Sequence, residues 1–208
     1  MNYLQVKSFI ERRHEMDTNI TIRMATKADA KEILEIYAPY VKDTAISFEY
    51  DVPTVEEFAE RIESTLRKYP YLAAIENNHI IGYAYASPFK TRVAYDWAVE
   101  TTVYISWNYQ GKGAGKKLYM ALEEILKRQN ILNLNACIAY TAAEDAYLTN
   151  NSAYFHERLG YKKAAHFTKC GYKFGNWYDM IWMEKLIGEH SANPKPVILL
   201  PELNELKL

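Results

Sequence analysis

The chain's capacity for chemistry is most concentrated at Gln110-Gly111-Lys112-Gly113-Ala114-Gly115, between a β-branched stretch and an amphipathic one. A glycine loop between a strand and a helix presents unpaired backbone N–H groups at the positive end of a helix dipole, a ready site for phosphate. Glycine matters there because a side chain would hold the anion away from the backbone. Lys112, Lys116 and Lys117 add positive charge, although lysines in such places are commonly just solvated. Two familiar nucleotide loops do not fit. No GxxxxGK followed by Ser or Thr occurs, and a dinucleotide loop needs GxGxxG early in a βαβ unit. Alone, Q-x-x-G-x-G is equally the pattern of a plain glycine turn that caps a helix.

The surrounding elements have to position that loop. Ile20 to Met24 reads as a strand, and Thr26 caps a helix whose apolar stripe is Ile33, Leu34, Ile36, Tyr37 and Val41. Thr54 and Glu57 form a capping box for a second helix with Phe58, Ile62 and Leu66 on its buried face. Residues 71–75 and 80–86 then read as a hairpin around Glu76-Asn77-Asn78-His79, and 100–105 as a third strand. After the loop, Leu118, Ala121, Leu122, Ile125 and Leu126 keep helical spacing. A strand over 134–140, a short helix over 152–159 closed by Gly160, and strands over 163–170 and 177–186 complete the order. That order, β-α-α-β-β-β-α-β-α-β-β, predicts a mixed α/β fold with helices on both faces of one sheet.

Residues 1–18 read as an N-terminal extension with a short helix. Residues 188–208, which carry Pro194, Pro196 and Pro201, read as an extended and weakly packed tail. That leaves 19–187 as the domain. A length of 208 residues suits one core. Net charge is −1 with dispersed basic residues, which argues against nucleic acid as the partner. Cys137 and Cys170 form no CxxC pair and no ligand-spaced cluster, so neither a disulfide framework nor a metal site is expected. No apolar run is long enough for a membrane span or a signal peptide, which gives a cytoplasmic location by default. Several of the 18 tyrosines flank the loop and read as an amphipathic pocket lining, though tyrosines also fill ordinary sheet faces.

The loop with its strand and helix resembles the acyl-CoA signature of the GNAT superfamily of N-acetyltransferases. Three further segments resemble its phosphinothricin N-acetyltransferase-like branch: Lys90 to Ile105, His156-Glu157-Arg158-Leu159-Gly160-Tyr161, and Gly171 to Asp179. The resemblance spans about residues 20 to 187. It implies the GNAT acyl-CoA N-acyltransferase fold, with a central mixed, mostly antiparallel sheet flanked by helices. It implies acetyl-CoA as co-substrate and no metal, transfer without a covalent enzyme intermediate, and a homodimer.

The resemblance also implies roles. The backbone of Val103, Tyr104 and Ile105 would pair with the pantetheine arm, and Gly111, Lys112, Gly113, Ala114, Gly115 and Lys116 would hold the pyrophosphate. The superfamily usually places an asparagine seven residues before the histidine. Here Thr149 stands there, leaving Asn150 or Asn151 to supply the contact. Acetyl transfer needs a neutral amine, so a proton must be removed and the oxyanion and thiolate stabilised. Glu100 is placed as that base, and His156 as either an acid for the thiolate or a cofactor anchor. Lys90 and Arg92, with Tyr95, would bind an acceptor's carboxylate or phosphinate, and Phe48 would cover it. The acceptor implied is a small amino acid or analogue such as phosphinothricin or methionine sulfoximine or sulfone. Two rivals stand beside this: acetylation of another amine, and a non-catalytic acyl-CoA sensor on the same fold.

Overall fold

The computed structural model describes residues 19–203, so the expected extension over 1–18 lies outside the described residues. The strands are β1 (Thr21–Met24), β2 (Tyr71–Glu76), β3 (His79–Pro88), β4 (Ala98–Ile105), β5 (Asn133–Tyr140), β6 (Lys162–Lys173) and β7 (Asn176–Leu186). The helices are α1 (Ala30–Asp43), α2 (Val55–Leu66), α3 (Ala114–Arg128) and α4 (Asn151–Arg158). All seven strands form one sheet in the order β1-β2-β3-β4-β5-β7-β6. Every neighbouring pair is antiparallel except β4 and β5.

Alternation along β2 shows how the sheet divides the core. Tyr71 and Ala73 pack with Ile33, Tyr37, Phe58 and Ile62 of α1 and α2, while Leu72 and Ala74 pack with Leu118, Leu122 and Ile125 of α3. Ile33, Ile62, Leu72 and Leu118 are fully buried, each contributing about 1.5–3 kcal/mol. Helix α2 starts as its capping box demands: the Thr54 hydroxyl accepts from the Glu57 amide at 3.1 Å and the Glu57 carboxylate from the Thr54 amide at 2.8 Å. Helix α1 starts differently. A 3₁₀ turn over Lys27–Asp29 precedes it, and the Asp29 carboxylate, paired in two places with Arg23, accepts from the Thr26 amide. The β2–β3 turn places Asn77 and Asn78 in the left-handed region, as a two-residue hairpin requires.

The sheet forks at one place. β4 and β5 pair only from Ala98↔Asn133 to Glu100↔Asn135. Beyond that, β4 stays with β3 as far as Ile105 and β5 stays with β7 as far as Tyr140, so the two strands diverge. Side chains seal the base of the fork: the Thr101 hydroxyl donates to Asn135 O at 3.1 Å and the Asn135 amide donates to Val99 O at 3.2 Å.

The tail departs from expectation. It is extended but firmly packed, with Leu200 buried and Val197 and Leu203 against the core. Prolines deprive it of donors, yet its carbonyls remain, and side chains use them. Trp97 donates to Lys195 O at 2.7 Å, Asn130 to Pro196 O at 2.8 Å, and buried Gln129 to Ile198 O at 2.8 Å. The tail thus straps together the start of β4 and the end of α3. Among the described residues, no helix is long and apolar enough to cross a membrane.

Candidate active site

Ladder alternation gives the fork its chemistry. The Ser106 amide donates to Ile81 O and Ala98 O accepts from the Phe89 amide, so even-numbered residues of β4 turn their peptide groups toward β3. The peptide groups of Val103 and Ile105 therefore face the side that β5 has left, where no strand pairs with them. Tyr40 of α1 takes one of these positions, its hydroxyl donating to Ile105 O at 2.5 Å. The Gln110 side chain donates to the same hydroxyl at 2.8 Å, tying the glycine loop to the end of β4. Tyr40 carries no signal in sequence beyond its place on the buried face of α1.

Gly113 is the N-cap of α3, with φ +90°, a left-handed conformation that side chains resist. It aims the first amides of α3 into a cavity of about 480 Å³. Val103, Tyr104, Ile105, Gly111, Gly115 and Lys116 all line that cavity. A Cβ on Gly115 would meet the Phe155 ring at 3.2 Å, so the small residue also lets α4 approach α3. Lys112 does not line the cavity; its ammonium sits over the Tyr109 ring at 4.7 Å. Phosphate-binding geometry and an unpaired strand edge run end to end here, which fits a long ligand with an anionic head and an amide-bearing arm.

The structure separates the two asparagines. Asn151 lines the cavity, as does Thr149. Asn150 is buried and faces away: its amide donates to Thr141 O at 2.9 Å and its carbonyl oxygen accepts from the Thr141 amide at 3.2 Å. Its side chain is committed to joining the end of β5 to the start of α4, so it is not free for a ligand.

Deeper in the fork the space narrows to about 60 Å³, lined by Ile46, Thr102, Val103, Tyr119, Cys137 and His156 among others. His156 is 3% exposed. Its Nδ1 lies 2.8 Å from Ser152 O, which can only accept, so Nδ1 carries the proton. Nε2, 2.8 Å from the Tyr119 hydroxyl, must then accept. Burial pulls the imidazole down to about 4, so about one molecule in a thousand is protonated at pH 7. The role of acid toward a thiolate therefore meets a neutral ring whose single proton is already engaged. Tyr119 is the partner that the sequence did not reveal, since nothing local distinguishes it beside the apolar stripe of α3.

Glu100 stands on the last paired rung of the fork, on the sheet face shared with Thr102 and Tyr104. Burial pushes its carboxyl up and Lys90 pulls it back. Lys90 lies over the Phe89 and Trp182 rings, 5.1 and 5.6 Å from their centroids. It lines a cavity of about 690 Å³ with Tyr95, Asn135, Phe167 and Trp182. Arg92 is exposed and its side chain lines none of the cavities described here, although its carbonyl accepts from the Tyr95 amide at 2.9 Å. Phe48 also stands off the cavities, its ring packed on Gly171. Glu49 instead lines a third cavity, of about 830 Å³, whose wall is the ladder of Tyr71, Tyr83 and Tyr85.

A forked sheet with an amide-lined edge, a left-handed glycine cap at a helix start and a half-buried carboxylate at the fork define an acyl-CoA-type transferase scaffold. The family comparison agrees: residues 22–182 match the acetyltransferase (GNAT) domain model. The chain belongs to the GNAT family of acetyltransferases. It is 34% identical to the phosphinothricin N-acetyltransferase of Streptomyces viridochromogenes, over 86% of this chain and 93% of that protein. It is 32% identical to the L-methionine sulfoximine/L-methionine sulfone acetyltransferase of Salmonella typhimurium, over 83% of this chain and 98% of that one. A crystal structure of a GNAT superfamily phosphinothricin acetyltransferase from Sinorhizobium meliloti in complex with AcCoA superposes with a TM-score of 0.78 at 31% identity, covering 89% of this chain and 97% of that chain.

Proposed function

We propose that the chain acetylates the α-amine of a small amino acid or analogue from acetyl-CoA, with Glu100 as the base that neutralises the amine. The observation that carries this reading is the position of Glu100. It is the last rung before the strand edge that lines the 480 Å³ cavity, half-buried and with its carboxyl raised. A raised carboxyl is a stronger base for an ammonium proton, and Lys90 beside it supplies a cation for an acceptor's carboxylate or phosphinate. The relatives named above act on phosphinothricin and on methionine sulfoximine and sulfone, which carry that second polar or anionic group.

Acetyl-CoA would lie with its pyrophosphate on the amides at the start of α3 and its arm along Val103 and Ile105, and when bound it supplies the thioester carbonyl. The chain's own residues do the rest. Glu100 takes the ammonium proton directly or through one water, while Lys90 and Tyr95 orient the acceptor. His156 accepts from Tyr119 and donates to Ser152 O, so both ring nitrogens are engaged within the chain and it shapes the wall of the gap instead of hydrogen-bonding the cofactor.

The same reading includes a homodimer. Tyr95 and Phe167, both exposed, line the Lys90 cavity. A second copy on this face would cover the Lys90 cavity, and Phe167→Asp should then give a monomer by light scattering. The decisive assay is CoA release over a panel of amino acids with their sulfone, sulfoximine and phosphinic analogues. Glu100→Gln should lower kcat by about 10²–10⁴ and leave acetyl-CoA binding intact. An unchanged kcat at every pH would remove Glu100 from the role.

A further inference from the structure

The segment Gly171-Tyr172-Lys173-Phe174-Gly175 caps the β6–β7 hairpin, distant in sequence from the fork, yet it holds a loop that borders the fork. Lys173 is 3% exposed, an unusual state for a lysine. Its ammonium donates to Val41 O at 2.8 Å, Thr44 O at 2.9 Å and Ser47 O at 2.7 Å. Those three bonds use its full complement of donors. Val41 lies in the last turn of α1, whose terminal carbonyls lack helical partners and carry the negative end of the dipole. Thr44 and Ser47 belong to the loop that follows. One cation thus fixes both where α1 ends and how the chain leaves it.

Neighbouring residues of the hairpin hold the same loop. The Phe48 ring lies against Gly171 so closely that a Cβ there would overlap it. The Tyr50 hydroxyl donates to Tyr172 O, and Phe174 stacks on Tyr147, whose carbonyl accepts from the Ala45 amide. Phe174 and Gly175 both adopt positive φ, the two-residue turn that brings Lys173 to the start of its connection. The loop so held supplies Ile46 to the narrow gap and to the 480 Å³ cavity, and Glu49 to the 830 Å³ cavity.

We propose that Lys173 is a positioning residue for the acceptor half of the site. By gathering the carbonyls of Val41, Thr44 and Ser47 it sets where Ile46 and Glu49 stand relative to Glu100, with Phe48 packed on Gly171 as a second anchor of the same loop. This rests on the reading of Glu100 and its acceptor given above. It also accounts for the lysine and first glycine of the hairpin segment: the lysine clamps the loop, and Gly171 leaves room for Phe48.

The test compares Lys173→Met and Gly171→Ala with the wild-type chain, using the acceptor that the wild type turns over fastest. Gly171→Ala keeps the ammonium and its bonds but displaces Phe48, so it carries the test even if Lys173→Met fails to fold. Both variants should raise acceptor KM, with kcat/KM for the acceptor falling about tenfold or more. The Kd for acetyl-CoA, by calorimetry, should change by less than the acceptor KM, because only Ile46 of this loop borders the 480 Å³ cavity. Hydrogen exchange should speed up at amides 44–50 in Lys173→Met. A folded variant with unchanged acceptor KM overturns the proposal, and so does an equal loss of acetyl-CoA affinity, which would make Lys173 a general structural support. If the wild type acetylates no amine, the functional reading fails. Hydrogen exchange would still decide whether Lys173 holds the loop.

Discussion

His156 permits the most quantitative prediction. Its imidazole has an ordinary value of 6.5 and is pulled by burial to about 4 in the native state. Between those values the unfolded chain binds a proton that the native chain does not. Stability from this group is therefore fully present above about 6.5 and is lost as pH falls toward about 4. From pH 7.5 to pH 5, the linkage relation gives a loss of about 2 kcal/mol, tending to roughly 3 kcal/mol below pH 4. The comparison is with His156→Gln, which removes the titrating group. Urea unfolding of both proteins at several pH values between 7.5 and 5 should show wild type losing about 2 kcal/mol more than the variant. Taking the difference cancels other groups, including Asp29, which Arg23 holds low, and Glu100, whose raised carboxyl contributes with opposite sign. A wild-type-minus-variant gap that stays constant with pH would refute the neutral, proton-accepting imidazole. The argument against His156 as an acid would fall with it.

Lys90→Met should move the acid limb of the kcat/KM profile to higher pH, because Lys90 is the group that lowers the raised Glu100 carboxyl; a limb that stays put would separate the two residues. Gly113→Ala places a side chain at φ +90°, which costs about 1–2 kcal/mol. Calorimetry should then show acetyl-CoA affinity falling about tenfold if the loop reshapes to escape that cost. Truncation after Pro194 removes Leu200 from the core and the tail carbonyl that Gln129 uses. The melting temperature should fall by about 10 °C from lost burial and an orphaned donor. A drop under about 2 °C would mean that the strap contributes little.

What the sequence disclosed, and what it withheld, follows from the range of the interactions involved. Capping boxes, apolar stripes and the Asn77-Asn78 turn act over a few residues, so the element order was readable throughout. The glycine loop was readable for the same reason: a left-handed cap at a helix start leaves a local signature. Contacts between elements leave none. Tyr119 lies next to the apolar stripe of α3 with nothing local to mark it, and only the fold turns its hydroxyl toward His156. Asn150 and Asn151 are indistinguishable as residues, and separate only because one joins β5 to α4 while the other faces a cavity. The tail read as loose because proline content reports missing donors and is silent on acceptors, which Trp97, Gln129 and Asn130 use.

Lys173 shows the same limit at the site itself. Its neighbours in sequence mark a hairpin, whereas its three acceptors lie 126 to 132 residues earlier. A lysine on a strand is ordinarily solvated, and nothing local tells a buried clamp from an exposed charge. The loop that carries Ile46 and Glu49 is thus placed by a distant hairpin, while most of the 480 Å³ cavity is lined by one continuous strand-loop-helix. The 114–116 amides and the β4 edge depend on backbone geometry that few substitutions disturb. The positions of Ile46 and Glu49 depend on side chains in three separate segments.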